Sequence, residues 1–195
     1  MARTAEVYRK TGETEIKVKM NLDGQGENKI TTQVFFLNHM LDLFSRHGLF
    51  DLEVDGKGDI EVDFHHLVED VGIVLGQAFL KALGNKEGIK RYGTFYVPMD
   101  EALAFCSVDI SGRPYIYFDA EFSRDKVGEF DVELVKEFFV AFANNARITI
   151  HLEVVRGENT HHMIEALFKA FGRALREAVA FDPREKGVPS TKGVL

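Results

Sequence analysis

The chain carries one segment twice, and this internal repeat limits the folds that it can adopt. Asp63-Phe-His-His-Leu-Val-Glu-Asp70 returns as Asn159-Thr-His-His-Met-Ile-Glu-Ala166, and the first histidines, His65 and His161, are 96 residues apart in a chain of 195. The apolar residues that follow keep this offset and the i, i+3, i+7 spacing of a helix face. They are Val68, Val71, Leu75, Phe79 and Ala82, then Ile164, Leu167, Phe171, Leu175 and Ala178. Each copy therefore predicts the start of a long amphipathic helix.

Each copy also carries a polar residue suited to cap its helix. Thr160 stands directly before the second His-His pair, and threonine is a favourable N-cap because its hydroxyl accepts a hydrogen bond from a free backbone N–H. Asp63 or its neighbour is the candidate in the first copy. We therefore expect both helices to begin at the His-His pairs.

The elements that precede each copy follow one order. Asp51–Val54 resembles His151–Val154 at an offset of 100, because the loop before the second His-His pair is four residues shorter. An amphipathic helix candidate precedes each of these segments, and an alternating strand that runs into a glycine turn precedes each helix. The helix candidates lie near Val34–Arg46 and Val132–Asn144, and the strands at Glu15–Asn21 and Ala102–Asp109.

The repeat predicts both the fold class and the domain organisation. We expect an α+β fold made of an internally duplicated sheet-plus-helices unit, with helices packed against mostly antiparallel sheets. The half-repeats span approximately 1–90 and 91–195, and Gly84–Gly93 forms the join between them. Because neither half contains a linker-like segment, residues 1–195 are predicted to form a single pseudo-symmetric domain.

Composition excludes several classes of protein. The net charge of -7, from 24 basic and 31 acidic residues, argues against a nucleic-acid partner. Cys106 is the only cysteine, so an intrachain disulfide and a thiolate-rich zinc site are excluded, and its alternating neighbours indicate a core thiol. The N-terminal residues lack an apolar signal region and no apolar run approaches a bilayer span. We therefore expect a cytoplasmic protein without a membrane partner.

The spacing inside the repeated segment indicates a metal site. Residues four apart on a helix share a face, so His65 and Glu69 can hold one ion together. The second copy repeats the pair as His161 and Glu165. A single His-x-x-x-Glu is usually a solvated pair, but its presence at matched positions of a duplicated fold predicts metal binding.

The second histidine of each pair points away from the first. His66 and His162 must therefore face another ion or another surface, because consecutive helix residues are about 100° apart. Asp70 lies four residues after His66, but its counterpart in the second copy is Ala166, which cannot be a ligand. This argues against Asp70 as a ligand.

Three histidines outside the repeated segments are His39, His47 and His151. His39 lies on the first helix candidate and His151 in an alternating strand, and neither has a histidine at its repeat-related position. Both are candidates for a further ligand, and the residues alone do not choose between them. A set of imidazoles and carboxylates without thiolate suits manganese, iron or zinc, and six-coordination favours manganese or iron(II).

The chain resembles the imidazoleglycerol-phosphate dehydratase family over nearly its whole length. The motifs that carry the resemblance are Asn38–Asp42, Asp63–Gly72, Val97–Leu103, Ser111–Tyr115, Asn159–Ala170 and the ending Pro189-Ser-Thr-Lys-Gly-Val-Leu195. The resemblance implies two Mn2+ per active site. One ion would take His39, His66, His161 and Glu165, and the other His65, Glu69, His151 and His162. It also implies a homo-oligomer of 24 subunits built from smaller trimers, with the sites where subunits meet.

The resemblance further implies a reaction of histidine biosynthesis, the dehydration of D-erythro-imidazole-glycerol phosphate to imidazole-acetol phosphate. The imidazolate form of this phosphorylated imidazole substrate would expel the neighbouring hydroxyl to give a diazafulvene-type intermediate. Loss of the next carbon's proton then gives an enol, which becomes the ketone. Glu13, which matches the family's substrate-contacting glutamate, is the first choice for the proton carrier, and Glu165 is the second.

The remaining substrate contacts also follow from the resemblance. The family places Arg91, Arg113, Ser190 and Lys192 at the phosphate. His47 matches a position near the substrate, although a histidine in the last turn of a helix is also explained by the helix dipole. The family commonly has glutamine at Leu43 and threonine at Leu67, so the pocket wall is expected to differ there.

Two other functions fit part of the sequence. A dinuclear metallohydrolase also uses paired ions to activate water, but such sites depend on bridging aspartates, whereas this set is rich in imidazole. A metal-storage or structural oligomer would leave Glu13 and the phosphate-binding cations without a role. Both are disfavoured.

Overall fold

The computed structural model describes residues 3–195, and each half of the chain forms a four-stranded sheet with two helices on one face. The first half contains β1 (Thr4–Lys10), β2 (Thr14–Asn21), β3 (Asn28–Thr32), α1 (Phe35–Gly48), β4 (Asp51–Gly58) and α2 (His65–Leu83). The second contains β5 (Tyr92–Met99), β6 (Ala102–Asp109), β7 (Tyr115–Asp119), the short β8 (Lys126–Val127) and β9 (Phe130–Asp131), α3 (Glu133–Ala146), β10 (Thr149–Arg156) and α4 (Thr160–Val179).

The two large sheets have the same topology. Their strand orders are β1-β2-β4-β3 and β5-β6-β10-β7. In each sheet the first three strands pair antiparallel, and the fourth runs parallel to its neighbour. The predicted α+β fold with mostly antiparallel sheets and two similar halves is confirmed.

The strands alternate between a buried and an exposed face because one side of each sheet is covered by helices. Ile16, Val18 and Met20 of β2 point inward, and Cys106 holds the equivalent inward register on β6. Cys106 is fully buried, and this burial raises the pKa of its thiol. Its prediction as a core thiol is confirmed.

The amphipathic helices α1 and α3 were predicted within two residues of their observed ends, and they pack against α4 and α2. Glycines permit a close approach at repeat-related places. A Cβ on Gly76 of α2 would lie 2.7 Å from the Phe142 carbonyl oxygen on α3, and one on Gly172 of α4 would lie 2.8 Å from that of Phe44 on α1. These helix pairs therefore touch backbone to backbone, which fixes the positions of the helix starts that carry the candidate ligands.

The structure corrects one prediction about the helix starts. Asn159, not Thr160, caps α4, since its side chain accepts bonds from the backbone N–H groups of His161 and His162 at 2.9 and 3.4 Å. Thr160 is already helical and buried, with its hydroxyl 3.2 Å from Ser123 Oγ. Asp63, the repeat-related residue, accepts from the His65 N–H at 2.7 Å. The N-cap of α2 is Phe64, which makes no side-chain cap bond, so Asp63 forms an Asx turn just before α2 whereas Asn159 is the true N-cap of α4.

None of the helices within residues 3–195 combines the length and the apolar character that crossing a bilayer requires.

Candidate active site

The packing of α1 on α4 brings three predicted ligands together. Nε2 of His39 lies 2.7 Å from Oε1 of Glu165, and Nε2 of His161 lies 3.2 Å from the same oxygen. One ligand atom from each residue falls within 4.8 Å of the other two, which is the spacing a single metal ion can bridge. His161 and Glu165 share one face of α4, as the four-residue spacing predicts.

Glu165 is a buried carboxylate surrounded by donors. Burial alone raises its pKa, but the bonds from Lys169, His39 and His161 outweigh that effect and lower the pKa to about 2. Lys169 Nζ donates to Oε2 at 2.7 Å from the next turn of α4. The carboxylate is therefore ionised, which is the state that binds a cation.

His39 and its repeat-related residue Phe139 show why only one half has this ligand. Phe139 is fully buried and packs edge-on against Phe171 at a centroid distance of 5.2 Å. His39 is exposed and faces His161 at 5.8 Å between ring centroids. One position belongs to the core and the other to the surface, so the asymmetry of the ligand set is built into the packing.

The start of α2 holds a second group of predicted residues. His65 Nε2 lies 3.9 Å from Glu69 Oε2, and both side chains are more than two-fifths exposed. His66 Nδ1 lies 3.0 Å from Asp59 Oδ2 and 3.9 Å from Glu13 Oε2. The bond with Asp59 is the main cause that raises the pKa of His66. The predicted proton carrier Glu13 is thus beside a predicted metal ligand.

His162 is oriented in the same way at the start of α4. Its Nδ1 lies 2.8 Å from Glu101 Oε2. This bond raises the pKa of His162 and lowers that of Glu101 to about 2. A carboxylate on Nδ1 fixes the ring and leaves Nε2 available, which is how metal-binding histidines are usually held.

The sequence reasoning missed the orienting residues Asp59 and Glu101. The signal for Glu101 was present, because it stands in the turn between β5 and β6 just as Glu13 stands in the turn between β1 and β2. Asp59 follows directly after β4 and had no comparable pattern.

His151 lies apart from the other predicted ligands. It is exposed on the outer face of the second sheet, between Tyr115 and Tyr117 at centroid distances of 6.0 and 5.6 Å. Within the described part of the chain, one cluster of three possible ligand groups is formed, and it is the one at Glu165. The single chain therefore brings together three residues of the first predicted set and the pair His65 and Glu69 of the second.

The predicted phosphate contacts are distributed over the C-terminal tail (Pro189–Leu195) and the edge of the second sheet. Arg91 donates to Asp109 at 2.7 and 3.2 Å and to the Pro189 carbonyl at 2.9 Å, so it ties the tail to the sheet. Arg113 and Lys192 are exposed, and Ser190 is half-buried. Two cations of this group are therefore accessible to an anion in the single chain.

The other positions implied by the resemblance lie along α1 and α2. His47 is half-buried in the last turn of α1, and burial, followed by the charges of Lys169 and Arg173, lowers its pKa. Leu43 is half-buried against the core, whereas Leu67 is fully buried. The difference from the family's usual threonine at position 67 therefore lies in the core of the first half.

The donors present fit a manganese site. They are imidazole nitrogens and carboxylate oxygens, and the only thiol, Cys106, is buried in the core. At both His-His pairs a carboxylate outside the predicted ligand sets orients the second histidine. Such an outer partner is the expected companion of a metal-binding imidazole.

Comparisons with known proteins agree on one family. The family model described as imidazoleglycerol-phosphate dehydratase matches residues 32–175. A curated protein of that name from Clostridium botulinum (strain Langeland / NCTC 10281 / Type F) is 64% identical over 98% of this chain and 97% of its own length. Its namesake from Geobacter metallireducens is 60% identical over 100% of both chains.

Solved structures give the same answer. The crystal structure of imidazoleglycerol-phosphate dehydratase from Staphylococcus aureus subsp. aureus N315 has a TM-score of 0.84 at 47% identity, covering 92% of this chain and 99% of that one. The enzyme from Pyrococcus furiosus, in complex with (S)-C348, has a TM-score of 0.84 at 40% identity, covering 97% and 100%. The chain therefore belongs to the imidazoleglycerol-phosphate dehydratase family, whose members are hydro-lyases of histidine biosynthesis.

Proposed function

We propose that this chain catalyses the manganese-dependent dehydration of D-erythro-imidazole-glycerol phosphate to imidazole-acetol phosphate in histidine biosynthesis. The observation that carries the proposal is the convergence of His39, His161 and Glu165 on one point at the start of a repeated His-His-x-x-Glu helix. The same motif recurs at the start of α2 with its own orienting carboxylate. Family membership supports the reaction class.

The two ions would be held by sets that cross the adjacent histidines. His39, His66, His161 and Glu165 would hold one, and His65, Glu69, His151 and His162 the other. When bound, manganese supplies Lewis-acid stabilisation of the ring's negative charge and a template for the substrate. Asp59 and Glu101 act on the second histidine of each pair by fixing the ring through Nδ1.

The proton at the reacting carbon requires a carrier from the chain. Departure of the hydroxyl beside the ring gives the diazafulvene-type intermediate, and the proton on the next carbon must then leave. Glu13 is suited to take it, because its carboxylate is more than half exposed and lies beside His66. Glu165 is the second candidate, and it is already bonded by three side chains.

The phosphate would be held by Arg91, Arg113, Ser190 and Lys192. Arg113 and Lys192 are exposed and therefore accessible, and the charges of Lys169 and Arg173 act on His47. Arg91 already binds Asp109 and the tail, so its contribution to the phosphate would include holding the tail in place.

A homo-oligomer would complete the two ligand sets. His66 and His151 face different surroundings from the remaining members of their sets in the single chain. Sites formed where subunits meet would bring these residues together, and we propose the 24-subunit assembly implied by the family. We also propose a cytoplasmic location, on the sequence grounds given above.

The test is turnover of imidazole-glycerol phosphate by metal-stripped protein with and without added manganese. Wild type is expected to regain activity with manganese, whereas Glu165→Gln regains little because a buried ligand oxygen is lost. Glu177→Gln, on the exposed part of the same helix, serves as the matched control and should behave as wild type. Release of phosphate without ketone formation would instead assign the protein as a hydrolase, and an inactive, fully metallated assembly would overturn the dehydratase assignment.

A further inference from the structure

A cationic pocket lies where the two helices α2 and α3 end. Its volume is about 370 Å³, and Lys86, Arg147, Gly112 and Leu195 are among its lining residues. Lys86 follows the end of α2 in the join between the halves, and Arg147 is the C-cap of α3. Residues of both halves therefore build this pocket, away from the His-His pairs at the opposite ends of α2 and α4.

Lys86 is the residue that needs an explanation. The residue is only 8% exposed, and among residues 3–195 its Nζ makes no hydrogen bond and no ion pair, although the Nζ atom itself keeps some contact with solvent. Its Nζ lies 3.5 Å from the position that a Cβ on Gly112 would occupy, so it points into the pocket. Buried lysines are almost always paired, because an isolated charge loses its hydration on burial.

The surroundings of Lys86 add positive charge and provide no negative charge to pair with it. Burial is the first cause that lowers its pKa and the charge of Arg147 is the second, with no acidic group acting in the opposite direction. Arg147 is exposed and adds a second positive charge at the pocket. The negative ends of the helix dipoles of α2 and α3 favour cations here, but no group of the described chain provides an acceptor to the Lys86 Nζ.

The pocket is distinct from the phosphate contacts proposed for the substrate. None of Arg91, Arg113, Ser190 and Lys192 lines it. Arg113 follows Gly112 in the chain, but its side chain is directed to the Ser111 carbonyl, 3.5 Å away. The cations of this pocket therefore have no role in the proposed reaction.

We propose that this pocket binds the phosphate or carboxylate group of a small molecule between Lys86 and Arg147. An oxyanion there would supply the acceptor that the lysine ammonium lacks and would pair with the guanidinium of Arg147. The volume falls at the lower end of the range for small-molecule sites, which is about 300–1,000 Å³. A phosphorylated or carboxylated metabolite is thus the class of ligand that fits.

Thermal unfolding of the assembled protein tests the proposal, with inorganic phosphate as the probe and chloride at matched ionic strength as the reference. In chloride, Lys86→Met should unfold at a higher temperature than wild type, because an apolar side chain replaces a mostly buried one whose charge has no partner. In phosphate, wild type should gain stability that Lys86→Met does not gain. Lys81→Met, which removes an exposed lysine from the last turn of α2, is the control and should respond to phosphate as wild type does.

A structural role of Lys86 gives a different result. If the lysine only stabilises the helix ends, Lys86→Met will lower the unfolding temperature equally in both buffers, which would overturn the proposal. Arg147→Gln provides a second variant at an exposed position, so the test does not depend on one buried substitution.

Equilibrium dialysis with radiolabelled inorganic phosphate counts the sites. Wild type should bind one more phosphate per chain than Lys86→Met and Arg147→Gln do. In each variant, the affinity for this additional phosphate should be at least tenfold lower than in wild type. Lys192→Ala should not affect this phosphate, so failure of the proposed substrate site and failure of this one are distinguishable. Equal binding by wild type and Lys86→Met would overturn the proposal.

The chain's own tail is the competing occupant, because the carbonyl carbon of Leu195 lies 2.7 Å from the Cβ position of Gly112. A variant lacking residues 193–195 distinguishes a small-molecule ligand from the tail as the occupant of the pocket. Phosphate binding by both the full-length protein and the shortened variant supports a small-molecule site. Phosphate binding that appears only in the shortened variant would assign the pocket to the tail and overturn the proposal.

Discussion

Glu13 and Glu101 occupy equivalent positions in the two halves, each in the first hairpin turn and one residue before its second strand. Both carboxylates face Nδ1 of the second histidine of a His-His pair, Glu101 at 2.8 Å from His162 and Glu13 at 3.9 Å from His66. The difference arises because Asp59 takes the close position beside His66. Glu101 is therefore engaged in orienting a ring, while Glu13 is left without so close a bond, as its proposed role as proton carrier requires.

This division predicts different defects for the two glutamine variants. Glu101→Gln should weaken manganese binding about 10- to 100-fold, because the carboxylate that orients His162 is lost. Glu13→Gln should keep the manganese content of wild type and lower kcat by about 10²-fold or more, because a proton carrier is lost. Metal analysis of dialysed protein, together with steady-state kinetics, separates the two effects. The same loss of manganese in both variants would show that Glu13 is a second orienting residue.

Asp70 is predicted to stabilise the fold without binding metal. Its buried carboxylate accepts a hydrogen bond from the Thr14 hydroxyl and lies 2.5 Å from Nη1 of Arg9, although not in the orientation of a hydrogen bond. Asp70→Ala should lower the free energy of unfolding by about 3 kcal/mol, the low end for a broken buried pair, because a third of the Arg9 side chain stays accessible. Denaturant unfolding measures this change.

Two readouts identify the role of Asp70. Asp55→Ala, at an exposed position of β4, is the control and should change the free energy of unfolding by less than about 0.5 kcal/mol. Asp70→Ala should retain the manganese content of wild type when the protein is folded. A folded variant that has lost manganese would make Asp70 a ligand, contrary to the argument from Ala166.

Much of the fold followed from the sequence because the repeat doubled each signal. The apolar stripe after His65 recurred after His161, so chance similarity was an unlikely explanation, and the predicted helix starts are confirmed. The cap of α4 was predicted at Thr160 and is Asn159, because threonine and asparagine are both favourable caps and the choice depends on which residue leaves the helical conformation.

The site was less accessible to sequence reasoning than the fold. The pair His161 and Glu165 followed from helix geometry, but the arrival of His39 beside them depends on how α1 packs on α4. Asp59 is one of three acidic residues in the loop between β4 and α2, and nothing in the pattern of the chain distinguishes it from Glu61 and Asp63. Contacts between distant segments are set by packing, and a lone sequence records that packing only indirectly.

Lys192 in the tail is predicted to hold the substrate phosphate. Because a charge-assisted hydrogen bond contributes about 1.5–3 kcal/mol, Lys192→Ala should raise KM about tenfold or more while kcat and manganese content change little. Lys186→Ala removes another exposed lysine that precedes the tail motif and should leave KM unchanged. Unchanged kinetics in Lys192→Ala would remove this lysine from the phosphate site.

The glycines at the two helix crossings predict matched losses of stability. A Cβ on Gly76 would lie 2.7 Å from the Phe142 carbonyl oxygen, and one on Gly172 would lie 2.8 Å from that of Phe44. These atoms are backbone and cannot move alone, so Gly76→Ala and Gly172→Ala should each lower the free energy of unfolding by about 1–3 kcal/mol. That cost exceeds the gain of about 1 kcal/mol that alanine brings to a helix.

Activity distinguishes the two crossings. The α1–α4 crossing carries the cluster of His39, His161 and Glu165, so Gly172→Ala should also lower kcat and manganese affinity, whereas Gly76→Ala should affect mainly stability. Gly12→Ala, where a Cβ meets no atom within 4 Å, is the control for stability and should unfold as wild type does. Because residues 76 and 172 are related by the repeat offset of 96, equal loss of manganese from both variants would mean that the position of His39 does not depend on the α1–α4 crossing.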